Sequence, residues 1–404
     1  MSKLSPEVHR KFHLKPIAIK YKPQSVRTIL ENLWRYTDIL IDLAFYAFFA
    51  KDRELALKIL DLDRLVSEYI GQFILHNSMA YGRTKEGAYA SLLSFYYGSA
   101  MDSISDSVKD IVYAMLVGYA PNISYEQVLP YAEGEVVAKM PVNEDFKVID
   151  LTDKYPVDVL LVVEGGEYRF SPQPREAIRR GSVLYIRGFR DVVMRLLSDQ
   201  GIEHKLEYID VEGFDRVAKN LVEIKDCTTL MLNLAHYVLM EFAKELVEEV
   251  EDLEIHIDWL HLETMNQLNS LATRVDPSTI TGIITLLKEL EDIADASASM
   301  SRILSLQEEF PDEYKAIFSR VFKSLNERVK AVTLAKSTDL QSLAYYLKKY
   351  GGQVLAVKTR DTWVAYPLAR EVQLSPGDKV ILVYQEEFTE EVENLLASLA
   401  RPPK

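Results

Sequence analysis

Apolar residues recur at three- and four-residue intervals along residues 25–50, 53–79 and 86–118, which predicts three long amphipathic helices. Ser25 supplies an N-cap after Pro23, Gly82 breaks the second helix from the third, and Gly118 with Pro121 ends the third. Three long helices on short loops read as an antiparallel bundle. The texture returns over 214–250, 253–273 and 278–306, where Asp276-Pro277 starts the last helix and Pro311 follows its end. A strand-like texture follows each helical stretch. Val157–Val163 is apolar on both faces, Gly165-Gly166 turns it, and Tyr168–Ser171 returns. Pro172, Pro174 and Arg180-Gly181 lead to a strand at Val183–Ile186 and a helix from Arg190 to Leu197. The later counterparts are Gln353–Val357, a turn at Arg360-Asp361, Trp363–Tyr366, Pro367, Pro376-Gly377-Asp378, Lys379–Val383 and a helix from Thr389 to Leu399. A short amphipathic helix precedes each first strand, near Lys147–Lys154 and Leu340–Lys349. The expected module is β-α-β-β-β-α.

The two halves match residue by residue. Leu43-Ala44-Phe45-Tyr46 returns as Leu234-Ala235-His236-Tyr237, and Asp61-Leu62-Asp63 as Asp252-Leu253-Glu254. Asp102-Ser103-Ile104-Ser105-Asp106 returns as Glu291-Asp292-Ile293-Ala294-Asp295, and Gly181-Ser182 as Gly377-Asp378. An offset held near about 190 residues marks a tandem duplication of one composite unit. The expected fold class is α+β: two tandem copies of a three-helix bundle, each followed by the small β-rich module. The expected segments are a basic arm at 1–24, bundles at 25–120 and 214–310, and modules at 133–205 and 326–400.

Charge narrows the function classes. A net charge of -14 argues against nucleic-acid binding by the whole chain. The arm dissents, with Lys3, Arg10, Lys11, Lys15, Lys20 and Lys22 against Glu7, and reads as a solvated end or a contact for an acidic surface. Cys227 is the lone cysteine, so no intrachain disulfide forms, and a reducing cytoplasm fits. The start lacks the apolar core of a signal peptide, and the longest apolar runs are too short to cross a bilayer. The chain is therefore expected to be cytoplasmic, meeting a membrane only through a partner.

The helical halves resemble the PhoU family, whose signature is a Glu/Asp-x-x-x-Asp pair on a bundle helix. Asp102/Asp106 and Glu291/Asp295 carry that spacing, and the first helices are similar around Ile41–Tyr46 and Val222–Asp226 with Asn233–Tyr237. The β-rich halves resemble the TrkA-C (RCK C-terminal) module of potassium-transport regulators, a hairpin, a proline and Gly-Asp before a last strand. Pro367 and Gly377-Asp378-Lys379-Val380-Ile381 fit it, whereas Gly181 is followed by Ser182. The alternation of the two looks like an archaeal group of proteins related to potassium channels. The resemblance implies a non-enzymatic regulator, a divalent or iron-type metal on the helical faces, and a small anionic ligand such as a cyclic dinucleotide at the modules. It also implies a potassium transporter or channel as partner, and a homodimer or a pseudo-two-fold monomer.

Carboxylates four apart share one helix face, and their repulsion costs a few tenths of a kcal/mol that a cation would relieve. Asp102, Asp106 and Asp110 form such a row, and Glu291 and Asp295 another, each opposite the apolar stripe of its helix. Asp38 and Asp42 add a second pair in the first copy, where the second copy has Asn233 for Asp42 and Ser299 for Asp110. The first bundle is therefore expected to hold metal better. His256 and His261, five apart, are spaced poorly for chelation on a helix, and with His236 read as partly buried histidines. Arg175, Arg179, Arg180 and Arg187, with Asp378 at the second Gly-Asp, are the candidate ligand-binding residues; Lys358, Arg360 and Arg370 are the second module's basic set. No Gly-x-Ser-x-Gly, Walker A or Gly-x-Gly-x-x-Gly stretch occurs, so neither nucleophilic catalysis nor NAD or ATP binding of those types is expected. Two rival readings remain, an adaptor in phosphate-uptake signalling and a surface carboxylate metallohydrolase.

Overall fold

A computed structural model describes residues 19–80, 85–132, 134–202, 207–209, 211–241, 243–304, 327–348, 350, 352–359, 362–366, 372–385 and 388–399. The expected break at Gly82, the chain around Leu306–Pro311, the turn at Arg360-Asp361, Pro367, Arg370 and the arm up to Lys15 lie outside these residues. The chain divides into two compact units, one helical and one built on sheets.

The helical unit begins with α1 (Val26–Ala50), α2 (Arg53–Ala80), α3 (Lys85–Ala114) and the one-turn α4 (Tyr125–Val128). The Ser25 hydroxyl accepts the Thr28 amide and starts α1. Lys51, at φ 51°, ends it in the left-handed conformation, and the Asp52 carboxylate caps the next helix through the Leu55 amide. A wide turn over Met115–Tyr119 prolongs α3 until Gly118, at φ 98°, stops it. Ile104, Val108, Ile111 and Met115 are buried, as their periodicity predicts.

The second set is α7 (Phe214–Glu241), α8 (Val247–Leu271) and α9 (Pro277–Arg302), with α8 in this unit from Glu254 onward. The first two meet earlier than the sequence suggests, through a tight turn at Lys244–Leu246. Asp276 caps α9 by accepting the Thr279 amide, with Pro277 in its first turn. α9 packs against both α3 and α7, and α1 packs against α2 and α7. Gly282 of α9 lies so close to the Tyr119 carbonyl that any Cβ there would collide with it.

The sheet unit contains one topology twice. First come β1 (Glu135–Pro141), β2 (Phe146–Lys147), α5 (Val148–Thr152), β3 (Val157–Glu164), β4 (Glu167–Phe170), β5 (Ala177–Ile178), β6 (Val183–Phe189) and α6 (Arg190–Asp199). Then come β7 (Glu327–Thr333), β8 (Thr338–Asp339), α10 (Leu340–Lys348), β9 (Gln353–Thr359), β10 (Thr362–Ala365), β11 (Gln373–Leu374), β12 (Lys379–Gln385) and α11 (Thr389–Leu399). The antiparallel sheets run β1-β6-β3-β4 and β7-β12-β9-β10, and β2-β5 and β8-β11 form small companion ladders. Strands β1 and β7 complete the sheets and are the elements that the turn signals do not mark. Both modules pin their last strand alike: the amides of Val142 and Leu334 bond the carbonyls of Ser182 and Asp378.

Candidate functional site

The acidic rows lie on the outside of the helical unit. Asp102, Asp106 and Asp110 are exposed along α3. Lysines are interleaved with them. On α3 the Lys109 ammonium pairs with Asp106, and on α9, which packs against α3, Lys288 pairs with Asp292 and lies 3.4 Å from Glu289 of the same helix. Partial burial raises the pKa of Asp102 and Asp110 from the ordinary carboxylate value, with Asp106 adding repulsion in each case. Beneath them Asp63 of α2 is buried, accepts the Ser105 hydroxyl at 2.8 Å and is also raised by burial.

On α9 the Glu291 carboxylate lies 2.6 Å from His261 Nδ1. Asp295 is raised by partial burial, then by the charges of Asp258 and Asp292. His256 of α8 meets Glu223 of α7 at 3.2 Å, so both α8 histidines hold carboxylates of neighbouring helices. A hard cation needs several converging oxygens. Among the described residues no three His, Cys, Asp or Glu side chains converge in that way. Within these rows Lys109 and Lys288 hold Asp106 and Asp292 in ion pairs.

The remaining acidic pair sits elsewhere. Asp42 is buried at 4% exposure and receives the Lys225 ammonium of α7 at 3.1 Å. Lys225 also lies 2.6 Å from Asp226. Burial alone would lower the pKa of this lysine, but Asp226 and Asp42 raise it, so it stays charged. Asp38 accepts the Asn233 amide at 3.1 Å, and the Asn233 oxygen accepts the Trp34 indole N–H at 3.0 Å. The repeat offset that matches Asp42 to Asn233 also matches Trp34 to Lys225. The ion pair and the Trp34–Asn233 bond are thus one crossing made twice, once in each direction.

Beside it His236 is fully buried, stacked on Trp34 at 4.9 Å, with Nε2 3.1 Å from the Tyr97 hydroxyl and Nδ1 2.9 Å from the Leu232 carbonyl. Burial pushes its pKa down to about 4. Periodicity does not reveal this seam. The available signal was a lysine and an aspartate at core positions of matching helices.

In the sheet unit the candidate ligand residues separate. Arg175, Arg179 and Arg180 are exposed. Arg179 lies 3.5 Å from Glu164, and the backbone amide of Arg180 bonds Asp145. Arg187 instead points into a buried ion network, 3.1 Å from Asp158 and 3.4 Å from Glu135. Lys348, the last residue of α10, joins it at 2.7 Å from Asp158 and 2.8 Å from Glu135. This network spans the two modules, and Phe189 of the first stacks on Tyr345 of the second at 6.0 Å. Asp378 turns its carboxylate back onto the Ser375 amide at 2.8 Å, stabilising the turn in which Gly377 has φ 103°. That is a local structural role, and Lys348 is the residue that sequence reasoning missed.

Comparison with solved structures finds weak similarity to the crystal structure of the GsuK RCK domain, at 12% identity and a TM-score of 0.17, over 75% of this chain and 79% of that one. The GsuK channel bound to NAD gives 11% identity and a TM-score of 0.16, over 73% of this chain and 66% of that one. Superpositions of that quality do not establish a common fold. No curated protein matches. None of the described helices is long and apolar enough to cross a membrane. Residues 221–304, from within α7 through α9, match the PhoU domain family model, and the chain therefore carries a PhoU domain there.

Proposed function

We propose that this protein is a non-enzymatic regulator of ion transport acting on a membrane transporter or channel, with potassium as the ion. The PhoU domain at 221–304 carries the reading. It lies in a chain whose sequence repeats a helical and a β-rich part, and the β-rich parts resemble TrkA-C modules. In this reading the helical unit is the scaffold that meets the transporter. The sheet modules sense a small anionic ligand through the exposed Arg175, Arg179 and Arg180, while Arg187 helps to hold the modules together and Asp378 holds its own turn. A cyclic dinucleotide is the first ligand to try, in a thermal-shift panel with Arg179→Glu/Arg180→Glu protein as the control. Metal binding on the acidic rows is a separable part of the reading. Elemental analysis of the parent against Asp102→Ala/Asp106→Ala and Glu291→Ala/Asp295→Ala proteins tests it, and absence of metal from the parent removes it.

The decisive experiment deletes the gene and measures rubidium and phosphate uptake in parallel. Altered rubidium uptake with unchanged phosphate uptake supports the proposal. The reverse result replaces it with the phosphate-signalling adaptor, which the same PhoU match supports.

A further inference from the structure

Among the described residues, the two copies differ in what covers the outer face of their second helix. On α2 that face is occupied by the chain itself. Gln72 bonds the backbone of Lys22 and Lys20, at 2.9 and 2.6 Å. His76 lies 2.8 Å from the Lys22 carbonyl and 4.8 Å, ring to ring, from Tyr21. Lys22 pairs with Glu68, and the Ile19 side chain lies where a Cβ on Gly71 would stand. An extended segment of alternating apolar and basic residues, Ile19-Lys20-Tyr21-Lys22, therefore lies across α2.

The repeat offset that matches Asp61 to Asp252 carries Arg64, Glu68 and Gly71 onto Ile255, Trp259 and Leu262 of α8. These three follow one another at helical spacing and stand 65%, 58% and 67% exposed. Monomer surfaces seldom display aromatic and aliphatic residues in a row without a use. His256 stacks against Trp259 at 6.1 Å and is held in turn by Glu223, so the indole is braced. The surroundings are acidic. From Glu254 to its end α8 carries Glu254, Asp258 and Glu263 and no Lys or Arg; Glu254 is paired with Arg302 of α9, which leaves Asp258 as the acid next to Trp259. Asp258 adds its repulsion to Glu291 and Asp295 of α9, both already raised by burial. An exposed indole beside carboxylates is suited to Lys or Arg, through ring-face attraction together with charge.

We infer that the Ile255–Trp259–Leu262 face of α8 is a docking surface for a basic amphipathic segment of a partner protein, occupying it as Ile19–Lys22 occupies the matching face of α2. The inference specifies a partner chemistry for the regulator reading and does not depend on which ion is transported.

Fluorescence anisotropy with a labelled peptide of alternating isoleucine and lysine tests it, against an isoleucine–glutamate peptide of equal length. The expected result is saturable binding of the basic peptide only. Affinity falls at least about tenfold in Trp259→Ala, as for an interface anchor, falls similarly in Asp258→Lys, and is unchanged in Asp106→Lys on α3. Circular dichroism confirms that each variant is folded. Equal binding of the acidic peptide, equal affinity of Trp259→Ala, or no saturation overturns the inference. So does light scattering that shows self-association abolished by Trp259→Ala, which would make a second copy the occupant. Altered phosphate uptake in the deletion strain would overturn the ion-transport reading and leave this surface standing.

Discussion

Replacing Lys225 with methionine keeps the length of the side chain and removes the ammonium that bridges Asp42 and Asp226. Asp42 stays in place at 4% exposure, its charge now facing an apolar thioether. Removing one partner of a buried pair costs about 3–5 kcal/mol, because the remaining charge keeps its desolvation penalty. For a large domain each kcal/mol moves the melting temperature by about 2–4 °C, so the loss is easily read by calorimetry. The variant also acquires an acid signature. A carboxylate buried without its counterion is pushed up in pKa, so its neutral form becomes the favoured one in the fold. The folded state then takes up a proton more readily than the unfolded chain, and the stability deficit shrinks as pH falls from 8 to 5. Asn233→Ala is the internal control. It removes the matching crossing, where the Trp34 N–H loses a neutral acceptor and Asp38 loses an amide donor, but strands no buried charge opposite an apolar group, and costs about 1–3 kcal/mol. A Lys225→Met deficit below about 1 kcal/mol, the value for an exposed pair, or one independent of pH, would refute the reasoning.

His236, held down to about 4 by burial, stays neutral in the fold while the unfolded chain protonates near 6.5. Stability should therefore fall between pH 6.5 and 4, by up to about 1.4 kcal/mol per pH unit. His236→Phe, which installs the residue of the matching position Phe45, should flatten the curve of melting temperature against pH; an unchanged slope rejects the assignment. The clash of a Gly282→Ala methyl with the Tyr119 carbonyl should cost about 1–3 kcal/mol, offset by up to about 1 kcal/mol of helix propensity, so the urea midpoint should report a net loss of up to about 2 kcal/mol in the helical unit. In the sheet unit burial alone would raise Asp158, but Lys348 and Arg187 lower it. Its contribution is thus full above the ordinary value near about 4 and lost as pH falls below it. Lys348→Met should shift acid unfolding of the sheet unit, followed by hydrogen exchange of β3, to higher pH.

The long helices and the module strands were legible because apolar periodicity and Gly or Pro punctuation agree there. The α7–α8 junction shows why agreement fails elsewhere. Ala243–Val250 is composed of good helix formers, so local propensity runs straight through a turn that tertiary packing imposes. The repeat held the better signal, since the offset that pairs Asp42 with Asn233 also sets Asp52, which starts α2, against Ala243. The acidic row was legible as an exposed face, and so was Lys109 one turn from Asp106, but the charge of Lys288 reaches Asp110 from a different helix, which a wheel of one helix cannot show. Asp42 and Arg187 were legible only as charges, because their partners lie far away in the sequence.

Those distant partners are unlike on the two sides of the α1–α7 contact. Had both crossings kept one pairing, either copy could equally well meet its own kind from another chain. With Trp34 and Asp42 on one side and Lys225 and Asn233 on the other, only unlike copies are complementary. Pairing two second copies would set Lys225, left with Asp226 alone, against the neutral Asn233, and pairing two first copies would set Asp42 against the Trp34 indole and leave its buried charge without a cation. Specificity of that kind comes from penalising the wrong pairing as much as from stabilising the right one. The Asp42–Lys225 pair and the Trp34–Asn233 bond together therefore favour α1 against α7 over either helix against its own kind.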